Sequence, residues 1–198
     1  MGDKRIQRVC VYCASSERAP AIYHEAASRL GRHLAGHDLT IVYGGGALGS
    51  MGRLAGAALA AGGRVVGVLP HFMNELEWGH KNLTELHLVD DLHQRKRTML
   101  EMADAVVALP GGSGTFDELF EAISLKRLGV FLGPIVLVNV NGYFEPCLQL
   151  LAQCISDRFM DERHQAMWSV APEPEAAFQT MQEAPEWQAN ARAFAVQR

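Results

Sequence analysis

The chain has 198 residues, 48% of them hydrophobic and 20% charged, the balance of a soluble globular protein long enough to bury a core without disulfide or metal staples. Lys plus Arg total 18 against 22 Asp plus Glu, a formal net charge of −4. That balance excludes a general electrostatic attraction to nucleic acid or acidic membranes, so any phosphate must be bound locally.

The first residues, with charges close to Val9 and Cys10, do not read as a signal peptide. No stretch approaches the roughly 18 to 20 apolar residues of a membrane span. The four cysteines are too scattered for a secreted disulfide scaffold. The expected compartment is the cytoplasm, with no membrane and no nucleic acid as partner.

Arg8 to Cys13 reads as a buried strand. Pro20 to Ala35 carries Ile22, Ala26, Ala27, Leu30 and Leu34 at helical spacing, with Pro20 suited to a first turn. Leu39 to Tyr43 is a second strand that stops at three glycines. Ser50 to Ala61 is a small-residue helix closed by Gly62 and Gly63. Arg64 to Leu69 is a third strand, halted by Pro70. His71 to Thr84 is irregular and more polar. Glu85 to Val89 is a fourth strand, Leu92 to Met102 a helix, Ala105 to Leu109 a fifth strand and Thr115 to Leu128 a helix. Ile135 to Val140 is the sixth strand. From Tyr143 onward the chain reads as helical, punctuated by Pro172, Pro174 and Pro185.

Repeated alternation of apolar strands with helices predicts an α/β fold. The expected sheet is doubly wound and mostly parallel, with helices on both faces. One domain is expected over 1–198, with a core over about 8–160 and a peripheral helical tail over about 161–198.

In such a sheet, ligands sit beyond the carboxyl ends of the strands, where both glycine clusters fall. Gly44, Gly46 and Gly49 match G-x-G-x-x-G. The match follows the second strand. The next strand ends in Val68-Leu69-Pro70 without the acid that nicotinamide binding requires. No P-loop follows.

The second cluster, Pro110-Gly111-Gly112-Ser113-Gly114-Thr115, joins a strand to a helix. Free N–H groups of a first helical turn form a phosphate site. The same residues also admit a purely structural reading, since Thr115-x-x-Glu118 is a capping box. Three neighbouring glycines exceed what a cap needs.

Arg95 and Met99 share a helix face while Arg97 points elsewhere. Arg95 is placed to fork onto a phosphate or ribose hydroxyl, against the alternative of a solvated helix face. No metal site is expected: the eight histidines form no His-Glu-x-x-His motif. Cys10 and Cys13, three apart on a strand, face opposite sides.

Gly44-Gly-Gly-x-x-Gly49-x-Met51-Gly52, Arg95-Lys96 and Pro110-Gly-Gly-x-Gly-Thr115-x-x-Glu118, in that order, resemble the LONELY GUY family. Its members are cytokinin riboside 5′-monophosphate phosphoribohydrolases. The resemblance covers roughly Val9 to Phe159. It implies a Rossmann-like homodimer that hydrolyses nucleoside 5′-monophosphates to free base and ribose 5-phosphate, with no cofactor. The resemblance assigns Arg95 and Glu118 as the catalytic pair. Its nucleotide-binding positions fall on Glu77, Lys96, Gly111, Gly112, Ser113, Gly114, Thr115, Phe116, Asp117 and Ser124. Ser15, the loop with Gly44, Gly45, Gly46, Gly49 and Met51, and Met99 behind Arg95 are expected along the same crevice. A phosphatase or a non-catalytic nucleotide-binding protein on this fold are the alternatives.

Five positions in two places depart from the family. Ala14 stands for a Gly, Ser124 for a Thr, and Leu125-Lys126-Arg127 for a Trp-Ala-Gln type of stretch. Glu118, expected in the first helical turn, would have its ionised form favoured by the helix dipole.

Overall fold

The structure is a computed structural model that describes residues 6–76 and 78–195, without the side chain at position 194. Its centre is a seven-stranded parallel sheet in the order β4-β3-β2-β1-β5-β6-β7. The strands are β1 (Arg8–Tyr12), β2 (Thr40–Tyr43), β3 (Val65–Pro70), β4 (Glu85–Val89), β5 (Ala105–Ala108), β6 (Ile135–Val138) and β7 (Ser169–Ala171). The helices are α1 (Ala21–Gly36), α2 (Gly49–Ala60), α3 (His71–Glu75), α4 (Leu92–Glu101), α5 (Ser113–Arg127), α6 (Glu145–Ser156), α7 (Ala177–Glu183) and α8 (Arg192–Ala195).

Side chains alternate across the strands, so β1 feeds two cores. Val9, Val11 and Cys13 face α1, α2 and α7, with Leu30, Leu34 and Leu54. Cys10 and Tyr12 face α4, α5 and α6, with Met99, Leu119 and Phe144. The two cysteines therefore do lie on opposite faces, and all four cysteines are free.

The chain winds outward from β1 in both directions, through β2 on one side and β5 on the other. That reversal opens the crevice beyond the carboxyl ends of β1 and β5, where ligands of doubly wound sheets bind. Among the described residues no helix is long and apolar enough to cross a membrane.

Two expectations are corrected. The chain after Tyr143 is not all helical: Ser169–Ala171 pairs with β6 as an edge strand, and Ala171, Ala177 and Met181 enter the core. Three residues are too few to show a period. Within the irregular segment, His71–Glu75 forms a short helix directly after Pro70.

Candidate active site

Helix α4 starts at the crevice because Asp91 caps it, its carboxylate accepting the Gln94 N–H at 2.7 Å. One turn on, Arg95 is buried. Its Nε donates to the Val68 carbonyl at 3.1 Å and an Nη to the Gly44 carbonyl at 3.0 Å. Two carbonyls at the ends of β3 and β2 thus hold the guanidinium plane. The other Nη lies 3.5 Å from the Glu118 carboxylate, which is also buried.

Helix α5 begins at Ser113, with Gly112 as its N-cap and no side chain capping it. The Thr115–Glu118 capping box is therefore not formed. Thr115 lies inside the helix, and its side chain packs under Gly111, where a Cβ would strike the Thr115 hydroxyl. The early start also moves Glu118 beyond the first turn, outside the short reach of the helix dipole. The expected dipole effect gives way to desolvation. Burial pushes the Glu118 carboxyl up to about 7, against the opposing pull of Arg95.

Lys96 ties the same two helices together, with its Nζ 2.9 Å from Asp117 and 2.6 Å from Glu121. Burial lowers its affinity for a proton, but the two carboxylates outweigh that and raise it. Beneath Glu118, burial pushes the thiols of Cys10 and Cys13 up, so neither is a thiolate at neutral pH.

Beside Arg95 lies a cavity of about 260 Å³. Ser15, Gly44, Gly46, Met51, Leu69, Met73 and Trp78 are among its walls. The Tyr43 hydroxyl steadies the glycine loop by donating to the Gly46 carbonyl at 3.1 Å. The Ala47 N–H donates to Trp78 and the His80 N–H to Gly45, both at 2.9 Å, so the segment after α3 closes over the loop.

The structure thus gathers Ser15, the Gly44–Met51 loop, Arg95, Glu118 and the start of α5 around one crevice. Other expected positions fall elsewhere. Met99 is fully buried in the core beneath α4, because a residue four after Arg95 lies one turn deeper under the sheet-facing stripe. Phe116 packs among aromatic rings. Asp117 is spent on Lys96. Ser124 is exposed, bonded to its own helix at Phe120, and about 9 Å further along the helix axis than Glu118. Glu77 lies outside the described residues. Leu69, Met73 and Trp78 line the cavity without being among the expected site residues. An apolar residue in an irregular polar segment, as Met73 and Trp78 are, is the signal that was available.

Fold and site define a Rossmann-like α/β protein with a guanidinium–carboxylate pair beside an uncapped helix start. The family model described as "Possible lysine decarboxylase" matches residues 51–181. The chain is 37% identical over 181 residues to a "Probable cytokinin riboside 5'-monophosphate phosphoribohydrolase" of Oryza sativa subsp. japonica, covering 91% of this chain and 74% of that one. It is 43% identical over 153 residues to a cytokinin riboside 5′-monophosphate phosphoribohydrolase of Rhodococcoides fascians, 77% of each chain. Its fold resembles that of a molybdenum cofactor carrier protein of Chlamydomonas reinhardtii, with TM-score 0.68 and 21% identity, over 88% of this chain and 95% of the other. The chain belongs to the LONELY GUY family of phosphoribohydrolases.

Proposed function

We propose that the protein hydrolyses the N-glycosidic bond of purine riboside 5′-monophosphates, cytokinin nucleotides or AMP, to free base and ribose 5-phosphate. The observation that carries this reading is the buried Arg95–Glu118 pair, its guanidinium held by backbone carbonyls at the mouth of the sheet. A phosphate-binding protein alone would not need a desolvated carboxylate there.

The 5′-phosphate sits on the N–H groups that open α5, from Gly112 to Thr115. The purine enters the apolar cavity between Met51, Leu69, Met73 and Trp78. As the C1′–N bond breaks, its electron pair goes to the base and positive charge builds on the ribose ring. Ionised Glu118 offsets that charge and takes a proton from the water that adds at C1′. That proton ends on the departing base. The Arg95 N–H groups not engaged by carbonyls face the developing negative charge of the base or the phosphate.

The reading includes a homodimer in the cytoplasm. Supporting the first is an open groove of about 700 Å³ between α4 and α5, where Leu100, Leu125, Val130 and Phe131 lie among charged residues that include Asp90, Arg97, Glu101 and Glu121. Supporting the second are four free thiols.

The test is chromatography of the protein incubated with AMP and, separately, with isopentenyladenosine 5′-monophosphate. Free base with ribose 5-phosphate is expected. Inorganic phosphate with intact nucleoside would make it a phosphatase, and unchanged nucleotide would overturn the enzyme reading.

A further inference from the structure

The loop that receives the phosphate contains two adjacent glycines, and a peptide between glycines is the least constrained in a chain. Thr115 packs under Gly111, but nothing lies within 4 Å of the position a Gly112 Cβ would take, so packing limits one end of the peptide without setting which way its oxygen points. A cradle of N–H groups works only if they point at the anion before it arrives. Something must fix the Gly111–Gly112 peptide.

The contact that does so comes from outside the glycine motif. The Tyr143 hydroxyl donates to the Gly111 carbonyl at 2.5 Å. A peptide group is planar and trans, so its C=O and N–H point in opposite directions. With the Gly111 oxygen held toward Tyr143, the Gly112 N–H is turned away from the aromatic cluster. Donation to the carbonyl also polarises the peptide and strengthens that N–H as a donor.

Tyr143 is itself held more firmly than a loop residue needs to be. Its ring meets Tyr23 of α1 at 5.4 Å edge-on, Phe116 of α5 at 6.3 Å stacked and Phe144 at 5.4 Å edge-on. The turn that delivers it has two left-handed residues in succession, Asn141 at φ 53° and Gly142 at φ 68°. The Asn139 side chain closes that turn, accepting the Phe144 N–H at 2.7 Å and donating to Glu145 at 2.6 Å. The Asn139 N–H donates to Ala171 of β7 at 2.8 Å. Asn and Gly are the residues that adopt this left-handed conformation most readily, so the sequence Asn141-Gly142 suits the turn.

We infer that Tyr143 is a positioning residue for the phosphate cradle: its hydroxyl orients the Gly111–Gly112 peptide so that the loop binds the 5′-phosphate of the substrate. The inference rests on the glycosidase reading for the identity of the ligand and adds the residue that prepares the loop. It also explains why Phe116 packs on Tyr143, since that packing couples the helix start to the turn.

The test is Tyr143→Phe, which keeps the ring and removes only the hydroxyl. Binding of ribose 5-phosphate and of adenine, each alone, is followed by calorimetry on the unaltered and altered proteins. Ribose 5-phosphate should bind about tenfold more weakly to the variant, with adenine affinity unchanged within about twofold. Unchanged ribose 5-phosphate affinity, an equal loss for both ligands, or no ribose 5-phosphate binding to the unaltered protein would each overturn it. Gly142→Ala, which disturbs the turn but leaves the hydroxyl, should show the same phosphate-selective loss. Failure of the glycosidase reading looks different: AMP would go uncleaved while ribose 5-phosphate binding still depended on the hydroxyl.

Discussion

The Arg95 guanidinium fills the space that a side chain at Gly44 would occupy. Gly44 thus serves as a backbone acceptor and as the vacancy that admits the arginine. Gly44→Ala should push the guanidinium off its carbonyl partners. The colliding group is the far end of a flexible side chain, so the fold should survive with a small drop in melting temperature. Activity should fall to the level of Arg95→Ala, and the double variant should lose nothing further. Full additivity of the two losses, measured as kcat/KM on AMP, would count against this coupling.

Arg95→Ala and Glu118→Gln test the pair directly. Each should lower kcat by at least about 100-fold, the scale of a positioned acid–base group. Because Gly112 and not Thr115 caps α5, Glu118→Gln removes no helix cap. Its circular dichroism spectrum should match that of the unaltered protein. A Glu118→Gln variant that turns over AMP at near-normal rates would leave the carboxylate without a catalytic role.

The α/β alternation was legible because most strands are short apolar runs stopped by turn residues, and β1, β2, β4, β5 and β6 fall within the expected segments; β3 runs one residue further than expected, with Pro70 paired to Val89 instead of halting it. Strand β7 was not, since Ser169–Ala171 is identified by its partner β6 and not by its own pattern. At the site, the order of three motifs pointed to Arg95 and Glu118. What holds Arg95 lay out of reach, because Gly44 and Val68 are 51 and 27 residues away and act through carbonyls that every residue possesses. Met99 shows the limit of a helical wheel: it shares a stripe with Arg95, yet depth under the helix separates a site residue from a core residue. Tyr143 illustrates a further limit, since its contact is again with a backbone oxygen.

The state of Glu118 sets an acid limb. Burial raises its carboxyl to about 7, so below that pH an increasing share is protonated and cannot offset positive charge on the ribose. Values of kcat/KM should fall about tenfold per pH unit on the acid side of 7. The substrate phosphate, with its second pKa near 6, also titrates nearby. The assignment therefore needs a direct probe. The ¹³C resonance of the Glu118 carboxyl should titrate near 7 in the free protein, and at higher pH in Arg95→Gln, where the opposing cation is gone. A midpoint near 4.5 in the unaltered protein would show that desolvation does not govern this group.

Lys126 offers a stability test away from the chemistry. It is almost fully buried, and its Nζ donates to the Gly133 carbonyl at 2.7 Å. Burial lowers its pKa from 10.5 to about 8. Between those values the unfolded chain holds a proton that the folded chain has released, so stability should rise with pH across that window. Below pH 8 both states are protonated, and the folded state carries the full penalty of a buried ammonium, at most about 3 kcal/mol. Lys126→Met removes the titrating group while keeping most of the side-chain volume. Urea unfolding at pH 7.5 and pH 10 should show a smaller gain in stability for the variant than for the unaltered protein. The Gly133 carbonyl loses its donor in the variant, which costs about 1 kcal/mol at both pH values and so cancels from the comparison. Equal gains in the two proteins would mean that the Lys126 amine titrates in the folded state as it does in the unfolded chain.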